Sequence, residues 1–435
     1  MLKKILLLMV ILVSACIFTS CNSLPNKNDS VSKDSKSTVQ SQMESTKENN
    51  NIEVENSIPN IPPKEQKYEK KIILENPNPR SQGLSGNIIY SDNHWIIHTY
   101  EYYDDYENND IKKETHILVD SNGNVVYDGV KNDCNLRSFY DNTLIVQSSD
   151  YKEFYKINIK TNQKEQIDNN YFYPEYKGEY IQVVDKNRKI GLIDNNGNVV
   201  VPCMYDYISE FDQKGLAIVS QNSKYGAIDK NNNIVIPLKY ALIRPFDEGN
   251  RDLTVSRYLW DNEKNSCDYT LASTLDGKII TIDRKGNEVF NISDNYEPTK
   301  FLKTGCKNLY PVKKDSICGF INLKGQEVIP FMYDEISSDF VNGYAIVMSN
   351  ANSRRESAVI DMNNKMIIPY VYTEISSFDQ KGFAIARTEG EGNKIIDLAN
   401  NVVYEATGHL EQFGQGVFTE KIDNAITILM FNKVS

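Results

Sequence analysis

The most regular candidates for chemistry in this sequence are aspartates set in turns. Asp194, Asp229, Asp361 and Asp397, with Asn322 in an equivalent place, each follow a short apolar run, and Gly or Asn comes soon after. An acidic turn that recurs invites a calcium reading. A calcium loop of the EF-hand type sets Gly at position 6 and Glu at position 12. Here Gly197 is the fourth residue counted from Asp194, and no matching Glu follows. The aspartates are therefore expected to cap hairpin turns, and no metal is assigned. The chain has four histidines. His94 and His98 share a strand face but stand roughly 13 Å apart at strand rise, too far for one metal. His116 and His409 stand alone in the sequence. With no Gly-x-Ser-x-Gly elbow, P-loop or dinucleotide fingerprint, no catalytic residue and no cofactor is assigned.

One segment has the composition of a recognition surface. Tyr100, Tyr102, Tyr103, Asp104, Asp105 and Tyr106 form an acidic, aromatic stretch between two strand-like runs. Tyrosine offers contact area at low entropy cost, so this stretch is the candidate binding loop. A second candidate is the insertion from Asn250 to Thr270, with Trp260 and Cys267. Loops on rigid β scaffolds often carry function.

The elements that must hold these loops are repeats. Gly191-Leu192-Ile193-Asp194, Gly226-Ala227-Ile228-Asp229 and Gly319-Phe320-Ile321-Asn322 each lead through a turn into Val200-Val201-Pro202, Val235-Ile236-Pro237 or Val328-Ile329-Pro330. Tyr205, Tyr240 and Tyr333 follow three residues after the proline. A fourth copy is Ala358-Val359-Ile360-Asp361, with Ile367-Ile368-Pro369 and Tyr372. Weaker copies begin at Val119-Asp120, Ile282-Asp283, Ile396-Asp397 and Ile157-Asn158. Asp194 and Asp229 are 35 positions apart, and self-similarity at such a period marks a propeller, solenoid or array. Gly and Asn supply the positive φ of a hairpin turn, and proline closes a strand because it cannot donate to the ladder. Each unit thus reads as three or four antiparallel strands. Small residues in Gly215-Leu216-Ala217 suit a place near a propeller axis, with Tyr207–Phe211 as an outer strand. The fold class is all-β, a propeller of about eight blades, with an open β-solenoid as the alternative. Lys71-Ile72-Ile73-Leu74 and the strand-like chain after Gly416 are incomplete units, expected to share one blade.

These units resemble the WG repeats of bacterial surface and secreted proteins, over about residues 175–400 well and 85–175 weakly. The tryptophan of that pattern is replaced by Ile190, Tyr225 and Cys318. The resemblance implies a repeat scaffold and carries no catalytic residues.

The N-terminus places the domain. Lys3 and Lys4 precede an apolar run from Ile5 to Val13, too short for a membrane span of about 20 residues and suited to an export signal. Two sites resemble the lipobox of bacterial lipoproteins, ending at Cys16 and Cys21. Cys21 is preferred because polar Asn22-Ser23 follows it, with Cys16 the alternative. Two acyl chains on that cysteine would anchor the protein stably. The organisation is then a signal peptide over 1–20, lipidated Cys and disordered linker over 21–67, and the repeat domain over 68–435. Residues 22–67 are polar and lack aromatic residues, too poor in apolar area to fold. The other five cysteines, Cys134, Cys203, Cys267, Cys306 and Cys318, are widely spaced and odd in number, and most are expected as free thiols. The formal charge of −11, with no basic stripe, argues against nucleic acid. The expected function is a non-enzymatic interaction module, anchored outside the cytoplasm by its lipid, with a protein or wall polymer as partner. The alternative is a hydrolase with an acidic site in a propeller channel.

Overall fold

The computed structural model describes residues 67–76, 81–103, 111–246, 267–298, 309–338, 340–350, 355–422 and 425–434. Among them every regular element is a β-strand, and no helix is long and apolar enough to cross a membrane. The strands pair into nine antiparallel sheets of four, all within the unit Pro62–Ser435. Eight sheets are continuous in sequence, over 81–128, 134–166, 172–205, 207–240, 242–291, 297–333, 335–372 and 374–405. The ninth joins His409–Gly414, Val417–Ile422 and Ala425–Lys433 to Tyr68–Asn76 from the other end of the chain. The domain is a nine-bladed β-propeller, its blades numbered here in that order.

Closure is a strand pairing. Ile72 stands opposite Leu429, and Tyr68 opposite Lys433. Tyr68 also donates its hydroxyl to Asp397 of blade 8, and Lys71 donates to the Asn122 carbonyl of blade 1 at 3.0 Å. One strand therefore ties the ninth blade to both neighbours and leaves no open end of an array, which a solenoid would have to cap. The same pairing explains the count. Eight Asp or Asn turns link third to fourth strands, the faint one at Asn158 included, and in the ninth blade the end of Ala425–Lys433 and the start of Tyr68–Asn76 stand where such a turn would be.

The core lies between blades rather than within one centre. Nine buried clusters each combine side chains of two neighbouring blades. Each blade alone is too small to bury both faces, so stacking round the ring supplies the apolar burial.

The order of strands corrects one expectation. Tyr207–Ile208, Leu216–Gln221, Lys224–Asp229 and Ile234–Tyr240 lie in that order across blade 4. First strands of neighbouring blades touch: the Tyr176 amide donates to Ser138 Oγ at 2.9 Å, and Ser376 Oγ donates to Gln412 Oε1 at 2.6 Å. Fourth strands carry exposed aliphatics such as Val199, Ile234 and Met366. The short Tyr207 strand is thus nearest the axis and the proline strand is at the rim. The Gly-Leu-Ala-Ile-Val run is second and buried on both faces, which in sequence looks the same as a crowded inner place.

Candidate functional site

The repeat signature builds the blade junctions. The glycine of each strong unit sits where the fourth strand crosses the third. A Cβ on Gly226 would meet the Ile236 carbonyl at 2.5 Å, and one on Gly191 the Val201 carbonyl at 2.6 Å. The fourth copy fits a methyl there, at buried Ala358. The residue before this position, the usual tryptophan slot, stands opposite the repeated tyrosine: Ile190 faces Tyr205, Tyr225 faces Tyr240 and Cys318 faces Tyr333. Those tyrosines, with Tyr372, are at most 8% exposed and pack into clusters shared with the next blade. Their hydroxyls donate to the turn beyond, Tyr205 to Asn232 at 2.9 Å, Tyr240 to the Gly286 carbonyl at 2.9 Å, and Tyr372 to Asn400 at 2.8 Å. At all four sites the tyrosine is thus a wedge between two blades.

The turn aspartates are caps. Asp229 Oδ1 accepts the amides of Asn231 and Asn233 at 2.9 and 2.8 Å, and Oδ2 accepts Asn233 Nδ2 at 2.9 Å. Asp194 repeats the pattern on Asn196 and Asn198. The Asn233 side-chain bond, then the backbone bonds, hold the Asp229 carboxyl below its ordinary range. Among the described residues no three His, Cys, Asp or Glu side chains converge to hold a metal ion.

The histidines are corrected in one respect. His116 does not stand alone: it faces His98 across two strands of blade 1, with ring centroids 4.6 Å apart. Burial first, then His116 and Arg137, lowers His98 from its ordinary 6.5 to about 3. Strand periodicity within one strand could not show this pair, because it depends on register between strands. In an unfolded chain this imidazole takes up a proton near its ordinary value. Between pH 6.5 and about 3 the unfolded state then binds more protons, so stability falls as pH drops through that window. Chemical denaturation at pH 7.5 and pH 5 is expected to show that loss. His98→Phe should flatten the slope by up to about 1.4 kcal/mol per pH unit; an unchanged slope would remove His98 as its source.

The acidic aromatic stretch is part strand. Tyr100, Tyr102 and Tyr103 belong to the strand His94–Tyr103, with Tyr100 opposite Glu114 and Tyr102 opposite Ile111; Asp104, Asp105 and Tyr106 lie outside the described residues. That strand ends on the face opposite the one where Tyr68 enters the ninth blade, because second strands and fourth strands start from the same face. The insertion around Trp260, the cysteines Cys16, Cys21 and Cys306, and the linker also lie outside the described residues. Cys134, Cys203 and Cys318 are free thiols, the first and last buried.

With this geometry in view, the chain matches the WG containing repeat family over residues 190–225, 225–250, 319–352 and 359–391. Each match starts in the third strand of one blade and runs into the next, so the sequence unit straddles a junction. No curated protein matches the chain by sequence. Among solved structures, BamB from Moraxella catarrhalis is similar at 9% identity and a TM-score of 0.34, over 84% of this chain and 99% of that one. A eukaryotic initiation factor is similar at 10% identity and a TM-score of 0.44, over 70% and 86%. Sqt1 from Saccharomyces cerevisiae is similar at 9% identity and a TM-score of 0.34, over 69% and 97%. At these values no activity or partner carries over to this chain.

Proposed function

We propose that this chain, which carries WG containing repeats at four places, is a lipid-anchored, extracytoplasmic binding module whose propeller presents its ligand surface away from the membrane. The carrying observation is where the polar N-terminal stretch joins the domain. Tyr68–Asn76, the strand that closes the ring, follows directly on that stretch. Its first residue enters on one face, while the tyrosine-bearing strand His94–Tyr103 ends on the other. A tether rooted at Cys21 would span roughly 35–40 Å on average as a flexible coil of 46 residues, enough to lift the domain off a surface. The ligand is a protein or wall polymer met by Tyr100, Tyr102, Tyr103, Asp104, Asp105 and Tyr106. A closed propeller suits this role because its blades fix the loops while the loops vary.

Membrane fractionation tests the anchor. Cys21→Ala is expected to move the protein from the membrane to the soluble fraction, and Cys16→Ala to leave it membrane-bound. The reverse pattern would put the lipid on Cys16. Retention of the double variant would contradict lipid anchoring altogether.

A further inference from the structure

The junction between blades 2 and 3 differs chemically from its counterpart between blades 5 and 6. Both follow one plan: Ile167 and Ile292 are buried, and Tyr171 and Tyr296 follow four residues later. Lys156 stands opposite Glu165 as Thr281 stands opposite Phe290. Lys156 Nζ donates to the Asn195 carbonyl, as Thr281 Oγ1 donates to the Leu323 carbonyl at 2.7 Å. Between blades 5 and 6, three rings fill the gap: Tyr296 stacks on Phe331 at 5.7 Å, with Phe290 at 6.3 Å. Between blades 2 and 3, Glu165 takes the place of Phe290. Cys203, next after Pro202, takes the place of Phe331, next after Pro330.

Two ring-sized side chains are therefore missing, and the space is open. Cavities of about 490 Å³ and 230 Å³ share Asp168, Tyr171 and Ile193 as walls. Among the described residues no ring stacks on Tyr171. Glu165 closes an ion pair with Lys156 at 2.9 Å, and the lysine side chain is only 11% exposed. Asp168 Oδ1 accepts the Asn170 amide and Nδ2, both at 2.9 Å; its Oδ2 takes no hydrogen bond among the described residues.

We propose that this cleft binds one sugar ring of a saccharide, stacked on Tyr171, with its hydroxyls on the Lys156–Glu165 pair and Asp168. The assignment rests on the reading of the domain as a binding module and names a ligand class for it. A phenyl or indole ring from a peptide would fill the volume but set hydrocarbon against the ion pair and the free carboxylate oxygen, which costs solvation. A pyranose offers an apolar C–H face to the tyrosine and hydroxyls that donate and accept to the polar floor. The larger cavity, walled by Tyr171, Asp168 and Cys203, is within the 300–1,000 Å³ typical of small-ligand sites, and the Lys156–Glu165 pair lines the smaller one, which shares the Tyr171 and Asp168 walls.

The test refills the cleft with the rings its counterpart has. The full chain in detergent would be titrated calorimetrically with chitotetraose, with maltotetraose and with a tyrosine-containing pentapeptide, and assayed for retention on isolated cell walls. At least one saccharide is expected to bind. The double substitution Glu165→Phe, Cys203→Phe should weaken that binding at least tenfold while a cooperative thermal transition shows the variant still folded, and Tyr171→Phe should keep it within about threefold. Binding of neither saccharide, equal binding by the refilled variant, or binding of the pentapeptide alone would overturn the site. A refilled variant that stays on cell walls as well as the wild type would sink the cleft and spare the binding module. A wild-type chain that retained neither wall material nor any surface protein would sink the module itself.

Discussion

A chain that begins at residue 77, lacking the closing strand, is expected to lose cooperative folding. The strand Tyr68–Asn76 covers Ile428, Leu429, Met430 and Phe431, each no more than 1% exposed. Its Ile73 packs on a cluster shared by blades 9 and 1, and its Tyr68 on one shared by blades 8 and 9. Removing it strips both of these contacts and leaves the backbone of Ala425–Lys433 as a bare sheet edge. That loss is comparable to the whole margin of about 5–15 kcal/mol that holds a domain folded. Circular dichroism melts should show a broad, early transition with aggregation. Deleting only residues 22–66 should leave the melt within a few degrees of wild type. If the chain from 77 melts like the full protein, the ring does not depend on its N-terminal strand.

Replacing a repeated tyrosine is expected to be the costliest single change. Tyr240→Ala or Tyr333→Ala should lower unfolding free energy by about 3–5 kcal/mol, the range for large aromatics cut back to alanine in a core. Each ring lies between two blades and is no more than 6% exposed, and neighbouring backbone cannot collapse into the gap without moving a blade. Tyr240→Phe keeps the ring and forfeits only the bond to the Gly286 carbonyl, for about 1 kcal/mol. Urea denaturation of the two variants separates packing from hydrogen bonding. Losses below about 1 kcal/mol for both alanine variants would mean the wedge carries little of the stability.

Much of this architecture is legible from residue types. Asp229 with Asn231 and Asn233 announces a turn, Pro237 a strand end, and Tyr240 a recurring buried slot, because each has a local reason to be there. The pairing of Ile72 with the last strands is readable for the same reason: two half-units at opposite ends have one way to complete each other. What escapes is whatever depends on register or on comparison between junctions. His98 and His116 are 18 positions apart in sequence and meet only through strand pairing. Leu216–Gln221 was open to misplacement because burial on two faces and closeness to an axis select the same small and branched side chains. The cleft is harder still, since Glu165 and Cys203 look ordinary until they are set against Phe290 and Phe331. The tyrosine stretch shows a further limit: composition singles it out as a loop, but the strand His94–Tyr103 runs on through Tyr100, Tyr102 and Tyr103.

Ring closure underlies the fold and the two faces of the propeller, and one cross-link tests it. Glu69 and Asn432 stand opposite each other in the closing sheet, with Glu69 exposed and Asn432 half-buried. Antiparallel partners lie close enough for a disulfide. In the double variant Glu69→Cys, Asn432→Cys, mild oxidation followed by peptide mass spectrometry is expected to find positions 69 and 432 joined within one chain, at high yield and independent of protein concentration. Free thiols at both positions after oxidation, or links formed only between molecules, would contradict the closed nine-bladed ring.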